Sequence, residues 1–189
     1  MVIDEMISLG KSLYLCKPKG KCRLIGDVEM KAVMVSDSHG CFGVLQKIVA
    51  RETPFDLLIH LGDGIEEILR LKLTKDFNLD AVAGNNDPRD YFPDHLTMKL
   101  GPYRCFMTHG QLYSVNDNFD QLVAAAKREK ATIAFYGHTH AYHDQFYQGV
   151  RLINPGTICS YLNHCPTYIT IEIKNRELAV TKIDLKNID

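Results

Sequence analysis

Met30-Lys31-Ala32-Val33-Met34-Val35-Ser36-Asp37-Ser38-His39 is the stretch on which the fold turns. Ala32 to Ser36 is a continuous apolar run with β-branched residues, the pattern of a strand buried on both faces. It gives way to Asp37-Ser38-His39, a polar loop. Phe42, Leu45, Ile48 and Val49 then recur at helical spacing from Phe42 to Arg51. Strand, polar loop and amphipathic helix in that order begin a parallel β/α unit.

The unit repeats. Leu57-Leu58-Ile59-His60-Leu61 is a second buried strand, ending at Gly62-Asp63-Gly64 and followed by a helix through Ile65, Ile68, Leu69 and Leu71. Ala81-Val82-Ala83 is a third, ending at Gly84-Asn85-Asn86-Asp87. Such alternation predicts a largely parallel sheet with its polar loops at the carboxyl ends of the strands, where open α/β sheets place ligands.

Further along, the pattern changes. Thr97 to Leu100 and Tyr103 to Thr108 flank Gly101-Pro102 as a hairpin, with His109-Gly110 beyond it. Asn118 to Lys130 reads as a helix, with Phe119, Leu122, Val123 and Ala126 inward. Thr132 to Tyr136 is a buried strand that ends at Gly137-His138-Thr139-His140. Gln145 to Ile153, Tyr168 to Ile173 and Leu178 to Ile183 are further strands, the last two joined across Asn175-Arg176. Parallel units come first and antiparallel strands later. Two packed mixed β-sheets flanked by helices, an α/β class, satisfy both halves.

Residues 1–29 stand apart from this pattern. Met1 to Gly10 has the makings of one or two helical turns, and Cys16-Lys17-Pro18-Lys19-Gly20-Lys21-Cys22-Arg23 is basic and broken by proline and glycine. The expectation is an N-terminal extension over 1–29 and a single domain over 30–189. A chain of 189 residues with 46% hydrophobic content is long enough for one ordinary core. A net charge of -1 gives no basic footprint for nucleic acid, which is disfavoured as a partner. No apolar run approaches the roughly 20 residues that span a bilayer. Asp4 and Glu5 interrupt any secretory core, so the default address is cytoplasmic. The 6 cysteines form no CxxC pair and no Cys-x5-Arg phosphate loop, and are expected to be reduced. Strand edges could pair copies into a homo-oligomer, but the pattern does not demand it.

The loops carry the chemistry. Those at Asp37, Asp63, Asn85, His109 and His138-Thr139-His140 each follow an apolar run, and together offer two aspartates, one asparagine and four histidines. That set can hold two divalent cations, a device for hydrolysing phosphate esters. The Asp63 carboxylate on its tight turn could bridge a pair. Oxygen and nitrogen donors without thiolate suit Mn, Fe, Ni or Zn. Taken singly, Asp-x-His and Gly-Asp are ordinary turn residues. The order of all five loops is what speaks.

The ordered set Asp37-x-His39, Gly62-Asp63, Gly84-Asn85, His109 and Gly137-His138-x-His140 resembles the calcineurin-like metallophosphoesterase superfamily. Compact size and the Asn154-Pro155-Gly156 turn are similar to its small prokaryotic phosphodiesterase branch. The resemblance covers about residues 31–185 and implies a four-layer αββα sandwich with a dinuclear site at one edge. It implies that Asp37, His39, Asp63 and His140 hold one divalent metal ion, Mn foremost. Asp63, Asn85, His109 and His138 would hold the other. A hydroxide between the metals would attack phosphorus in a phosphodiester of a small organic phosphate.

Many family members carry histidine after the metal-binding asparagine, as an acid for the leaving group. Here Asn86 stands there, and asparagine donates a hydrogen bond but no proton. Asn86 remains the candidate catalytic residue facing the leaving group, with Asp87 beside it to orient the Asn85 loop. This fits the phosphodiesterase branch and argues against robust phosphomonoesterase activity. Arg89 could meet a substrate phosphate. His60, within a strand, is expected to hydrogen-bond a neighbouring loop. His143 lacks the aspartate that a His-x-His-x-Asp-His motif needs before it, and His95 and His164 have no constellation around them. The alternative is a non-catalytic metal-binding scaffold, since the same fold serves as a subunit of retromer-type assemblies. Its ligand set is typically degraded, whereas all seven positions here are intact. A nuclease would need a basic surface or an added domain.

Overall fold

The computed structural model describes residues 29–88, 91–160 and 165–187. The expected extension therefore lies outside the described residues except for Glu29, as do Arg89 and His164.

Strand β1 (Met30–Val35) sits in the middle of a sheet, between β2 (Leu57–His60), which runs parallel to it, and β9 (Thr167–Lys174), which runs antiparallel. Outside them lie β3 (Leu79–Ala81), parallel to β2, and β10 (Glu177–Asp184), antiparallel to β9. Helices α1 (Phe42–Glu52) and α2 (Ile65–Lys72) make the crossovers. The second sheet runs in the order β4 (His95–Leu100), β5 (Tyr103–Thr108), β6 (Ile133–Phe135), β8 (Val150–Pro155), β7 (Tyr142–Tyr147). Its three inner strands are parallel and its edges antiparallel, with α3 (Asp120–Arg128) crossing from β5 to β6.

The strand period of two sorts the apolar residues into three cores. Ala32, Met34, Leu57 and Ile59 point between the sheets and meet Cys105, Met107, Ile133, Phe135 and Ile153. Val33, Val35 and Leu58 point the other way, against Leu45, Ile48 and Val49 of α1 and Ile68 and Leu71 of α2. Phe106, Ala134 and Leu152 face Leu122, Val123 and Ala126 of α3. Each fully buried aliphatic residue is worth roughly 1.5–3 kcal/mol. These cores define the expected αββα sandwich.

Three expectations need correction. The run Gln145 to Ile153 is a hairpin, β7 and β8, that turns at Gln148 (φ 47°) and Gly149 (φ 83°). Two positive φ values in a two-residue loop match a strand twist, and the glycine was the signal. The third strand ends at Ala81. Val82 and Ala83 continue it, but the Ala83 N–H turns to Pro93 O at 2.9 Å. The cysteines are not all reduced: Cys41 and Cys159, 118 positions apart, are joined in a disulfide with their Cα atoms 5.8 Å apart. Only the fold brings them together. Cys105 is buried and free, Cys165 exposed and free, and Cys16 and Cys22 lie outside the described residues. No described helix is long and apolar enough to cross a membrane.

Candidate metal centre

Because β1, β2 and β3 are parallel, and β5, β6 and β8 likewise, their carboxyl ends gather at one end of the sandwich. Hydrogen bonds lock the two sets of loops together. Asp37 N–H donates to Gly62 O at 3.0 Å and His39 N–H to Asp63 O at 3.1 Å within the first sheet. Across the sheets, His138 N–H donates to Asp37 Oδ2 at 3.2 Å and Thr157 Oγ1 to Asp37 O at 2.7 Å.

Six of the seven expected metal ligands converge there. His140 Nε2 lies 3.2 Å from Asp37 Oδ1 and 3.2 Å from His39 Nε2. His109 Nε2 lies 3.4 Å from Asp63 Oδ2 and 3.3 Å from His138 Nδ1. His39 Nε2 is 3.7 Å from Asp63 Oδ2, so Asp63 reaches a histidine of each pair. The donor atoms group as Asp37, His39, His140 and as Asp37, Asp63, His109, with Asp37 common to both. The seventh, Asn85, is exposed and lines the same depression of about 430 Å³ as His39, Asp63, Asn86, His138 and His140.

The backbone is bent to present these groups. Asp37 (φ 53°), His39 (36°), Asp63 (57°), His138 (67°) and His140 (57°) all occupy positive φ. That conformation is uncommon for residues with a Cβ, and it clusters at functional sites where surrounding structure enforces it. Gly84 shows the crowding, since a Cβ there would lie 2.1 Å from Asp63 Oδ1.

Supporting side chains fix the rest. His109 Nδ1 donates to Leu61 O at 2.7 Å, which leaves Nε2 with its lone pair toward the cluster. The Asp87 carboxylate accepts four backbone N–H groups. Oδ2 takes those of Asp63 (2.6 Å) and Gly84 (2.8 Å), and Oδ1 those of Gly64 and Ile65 (both 2.9 Å). It thus caps α2, which has no side-chain cap of its own, and ties the Asp63 loop to the Asn85 loop. Asn86 binds Asp63 twice, from N to Oδ1 at 2.8 Å and from Nδ2 to Oδ2 at 2.7 Å. Both expected catalytic residues therefore touch the ligand loops themselves. In the sequence Asn154 reads only as part of a turn, but the side chain is fully buried. Its Nδ2 donates to Gly137 O at 2.8 Å and Thr139 Oγ1 at 3.1 Å, holding the His138–His140 loop.

Of the remaining histidines, His60 bonds neighbouring loops as expected: Nδ1 accepts the Gly62 N–H and Nε2 lies 3.2 Å from Ser38 Oγ. His143 pairs with Tyr136 Oη at 2.7 Å, and His95 stacks on Phe106.

Electrostatics favour added positive charge. Burial would raise the Asp63 pKa, yet His109 and Asn86 hold its carboxyl well below the usual range. Burial lowers His109, but Asp63 and Asp37 raise it more, and the Asp37 carboxylate raises His140. Burial and neighbouring His109 push His138 down. Asp37 Oδ1 is buried and makes no hydrogen bond, an expensive state for a carboxylate oxygen unless a cation meets it. A cluster of nitrogen and oxygen donors around such an atom fits divalent metal ions.

Fold and donor set together describe a two-sheet α/β protein with a candidate metal centre of aspartates and histidines. Comparison with known proteins agrees. The model of the calcineurin-like phosphoesterase superfamily domain matches residues 30–176. A probable metallophosphoesterase of Bacillus subtilis is 32% identical over 130 residues, spanning 68% of this chain and 75% of that protein. A phosphodiesterase of Methanocaldococcus jannaschii is 26% identical over 166 residues, spanning 78% and 96%. Among solved structures, vacuolar protein sorting 29 from Cryptosporidium parvum superposes with a TM-score of 0.71, covering 85% of this chain and 94% of that one. At 17% identity it shares the fold. The chain belongs to the calcineurin-like phosphoesterase superfamily.

Proposed function

We propose that this protein is a metal-dependent phosphodiesterase that hydrolyses small organic phosphodiesters with two divalent cations, manganese foremost and iron, nickel or zinc as alternatives. The observation that carries this is the convergence of Asp37, His39, Asp63, His109 and His140 around a buried Asp37 oxygen without a hydrogen bond, with His138 Nδ1 3.3 Å from His109 Nε2. Asp37, His39, Asp63 and His140 would hold one ion, and Asp63, Asn85, His109 and His138 the other. When bound, such ions polarise the phosphoryl oxygens and lower the pKa of water to near neutrality. The chain's own residues do the rest. Leu61 O fixes the His109 tautomer, and Asp87 and Asn154 hold the loops that carry Asp63 and His138. The Asn86 amide, engaged by Asp63, offers the leaving oxygen no proton. Esters with good leaving groups are therefore favoured. The diester preference draws support from the archaeal relative named a phosphodiesterase.

The test is hydrolysis of bis-p-nitrophenyl phosphate with added Mn²⁺ and with chelator, using Asp63→Ala as the blank. Metal-dependent turnover absent from the variant supports the enzyme. No turnover with any divalent metal refutes it and favours a scaffold role for the fold.

A further inference from the structure

Ser38, His60 and Glu67 form a chain of hydrogen bonds beneath the cluster. His60 ends β2 and is fully buried. Its Nδ1 accepts the Gly62 N–H at 3.1 Å, so Nε2 carries the proton and donates to Ser38 Oγ at 3.2 Å. Ser38 Oγ donates to Glu67 Oε1 at 3.3 Å, and the same oxygen accepts the Gly40 N–H. This polarity excludes a nucleophile. An imidazole that donates to a hydroxyl cannot take its proton, and Glu67 meets the serine and not the imidazole. Gly64 makes room for the pair, because a Cβ there would lie 1.7 Å from Ser38 Oγ and 3.0 Å from His60 Nε2.

The chain joins three pieces: the Asp37–His39 loop, the Asp63 loop and the first turn of α2, which carries Glu67. Two backbone bonds between the loops set their register. Asp87 holds the Asp63 loop to the start of α2, and Gly40 N–H meets Glu67. The side-chain relay adds a direct link from His60 at the end of β2 through Ser38 to the helix.

We propose that His60 is a positioning residue of the metal centre, acting through Ser38 and Glu67 to set the separation of the Asp37–His39 and Asp63 loops, and so of the two cations. The role rests on the two-cation function proposed above. It predicts that breaking the relay loosens metal binding and alters the coupling between the ions without touching a ligand.

Metal-stripped wild type, Ser38→Ala, His60→Ala and His60→Gln are titrated with Mn²⁺ by calorimetry. The loaded forms are examined by electron paramagnetic resonance, and folding is checked by circular dichroism. Wild type is expected to take two ions and to show an exchange-coupled spectrum. Ser38→Ala and His60→Ala weaken at least one ion by about tenfold, as loss of an outer hydrogen-bond partner does, and change that spectrum. His60→Gln keeps a donor toward Ser38 and recovers most of both. Folded Ser38→Ala with wild-type constants and spectrum overturns the proposal, as does His60→Gln no better than His60→Ala. Should His60→Ala fail to fold, Ser38→Ala, which removes one oxygen, decides alone. A wild type that binds a single ion refutes the two-cation function, and the relay is then judged on that ion's constant. A wild type that binds none overturns both.

Discussion

Replacing Asp87 by asparagine changes one atom of a group that receives four backbone amides. One carboxylate oxygen becomes an NH2, so two of the four N–H groups lose their acceptor and face a donor. An unsatisfied amide costs about 1–3 kcal/mol, and the lower end applies because Asp87 is only half-buried. Losing the negative charge at the start of α2 costs about 0.5 kcal/mol more. The sum is roughly 2–3 kcal/mol, set against a typical domain stability of about 5–15 kcal/mol. For a domain of this size that lowers Tm by roughly 5–10 °C. The carboxylate's partners include the amides of Asp63 and Gly84, so Mn²⁺ affinity should also fall, by about 10- to 100-fold. Thermal unfolding of the metal-free protein at pH 7 and a calorimetric titration measure the two effects. A Tm within about 1 °C of wild type would refute the accounting, and unchanged affinity would show that Asp87 holds the helix but not the site.

Asp63→Ala should abolish tight binding of both ions and nearly all activity, since Asp63 Oδ2 faces His39 and His109; full metal content by elemental analysis would rule out a shared carboxylate. Asn86→Ala removes the amide bond to Asp63 Oδ2, and should lower metal affinity by about tenfold with the same rate loss for p-nitrophenyl and alkyl leaving groups; a loss confined to poor leaving groups would place Asn86 at the leaving oxygen instead. Burial pushes the His60 pKa down to about 4, so the unfolded chain takes up a proton below pH 6.5 that the folded one refuses. Stability is therefore full above pH 6.5 and declines by about 3 kcal/mol as pH falls toward 4. Urea unfolding of wild type and His60→Gln across that range checks it, and parallel pH curves would disprove it.

How much could be foreseen follows from what each signal encodes. The runs Ala32–Ser36 and Leu57–Leu61 announce central strands because burial on both faces forces uniform apolarity. Ligands at Asp37, Asp63, His109 and His138 sit just past such runs, so the place of the site could be inferred along with the strands. What stays hidden depends on contacts between distant segments. Nothing local marks Asp87 as the acceptor for Ile65 N–H, or Asn154 as the partner of Gly137 O. Neither Cys41 nor Cys159 carries a pairing signal. Positive φ at five ligands is equally unannounced, since only tertiary structure holds aspartate and histidine there. The β7–β8 turn was a different matter. Gln148-Gly149 marks the turn, but strand-forming residues on both sides, Phe146-Tyr147 and Val150 to Ile153, let the stretch read as one strand.

The Cys41–Cys159 bond also governs how the molecule would bear mechanical load. It closes α1 through β8 into a covalent ring, from which β1 and β9 leave as paired neighbours in one sheet. Pulled from its two ends, the oxidised protein transmits tension through β1, the disulfide and the β9–β10 hairpin. The ring, with the Asp63, Asn85, His109 and His138–His140 loops inside it, stays shielded. Between residues 29 and 187 the oxidised chain can then extend to at most roughly 140 Å, against roughly 550 Å once the bond is reduced. The ligands on either side of that divide fare differently: Asp37 and His39 lie on the loaded path, the others off it.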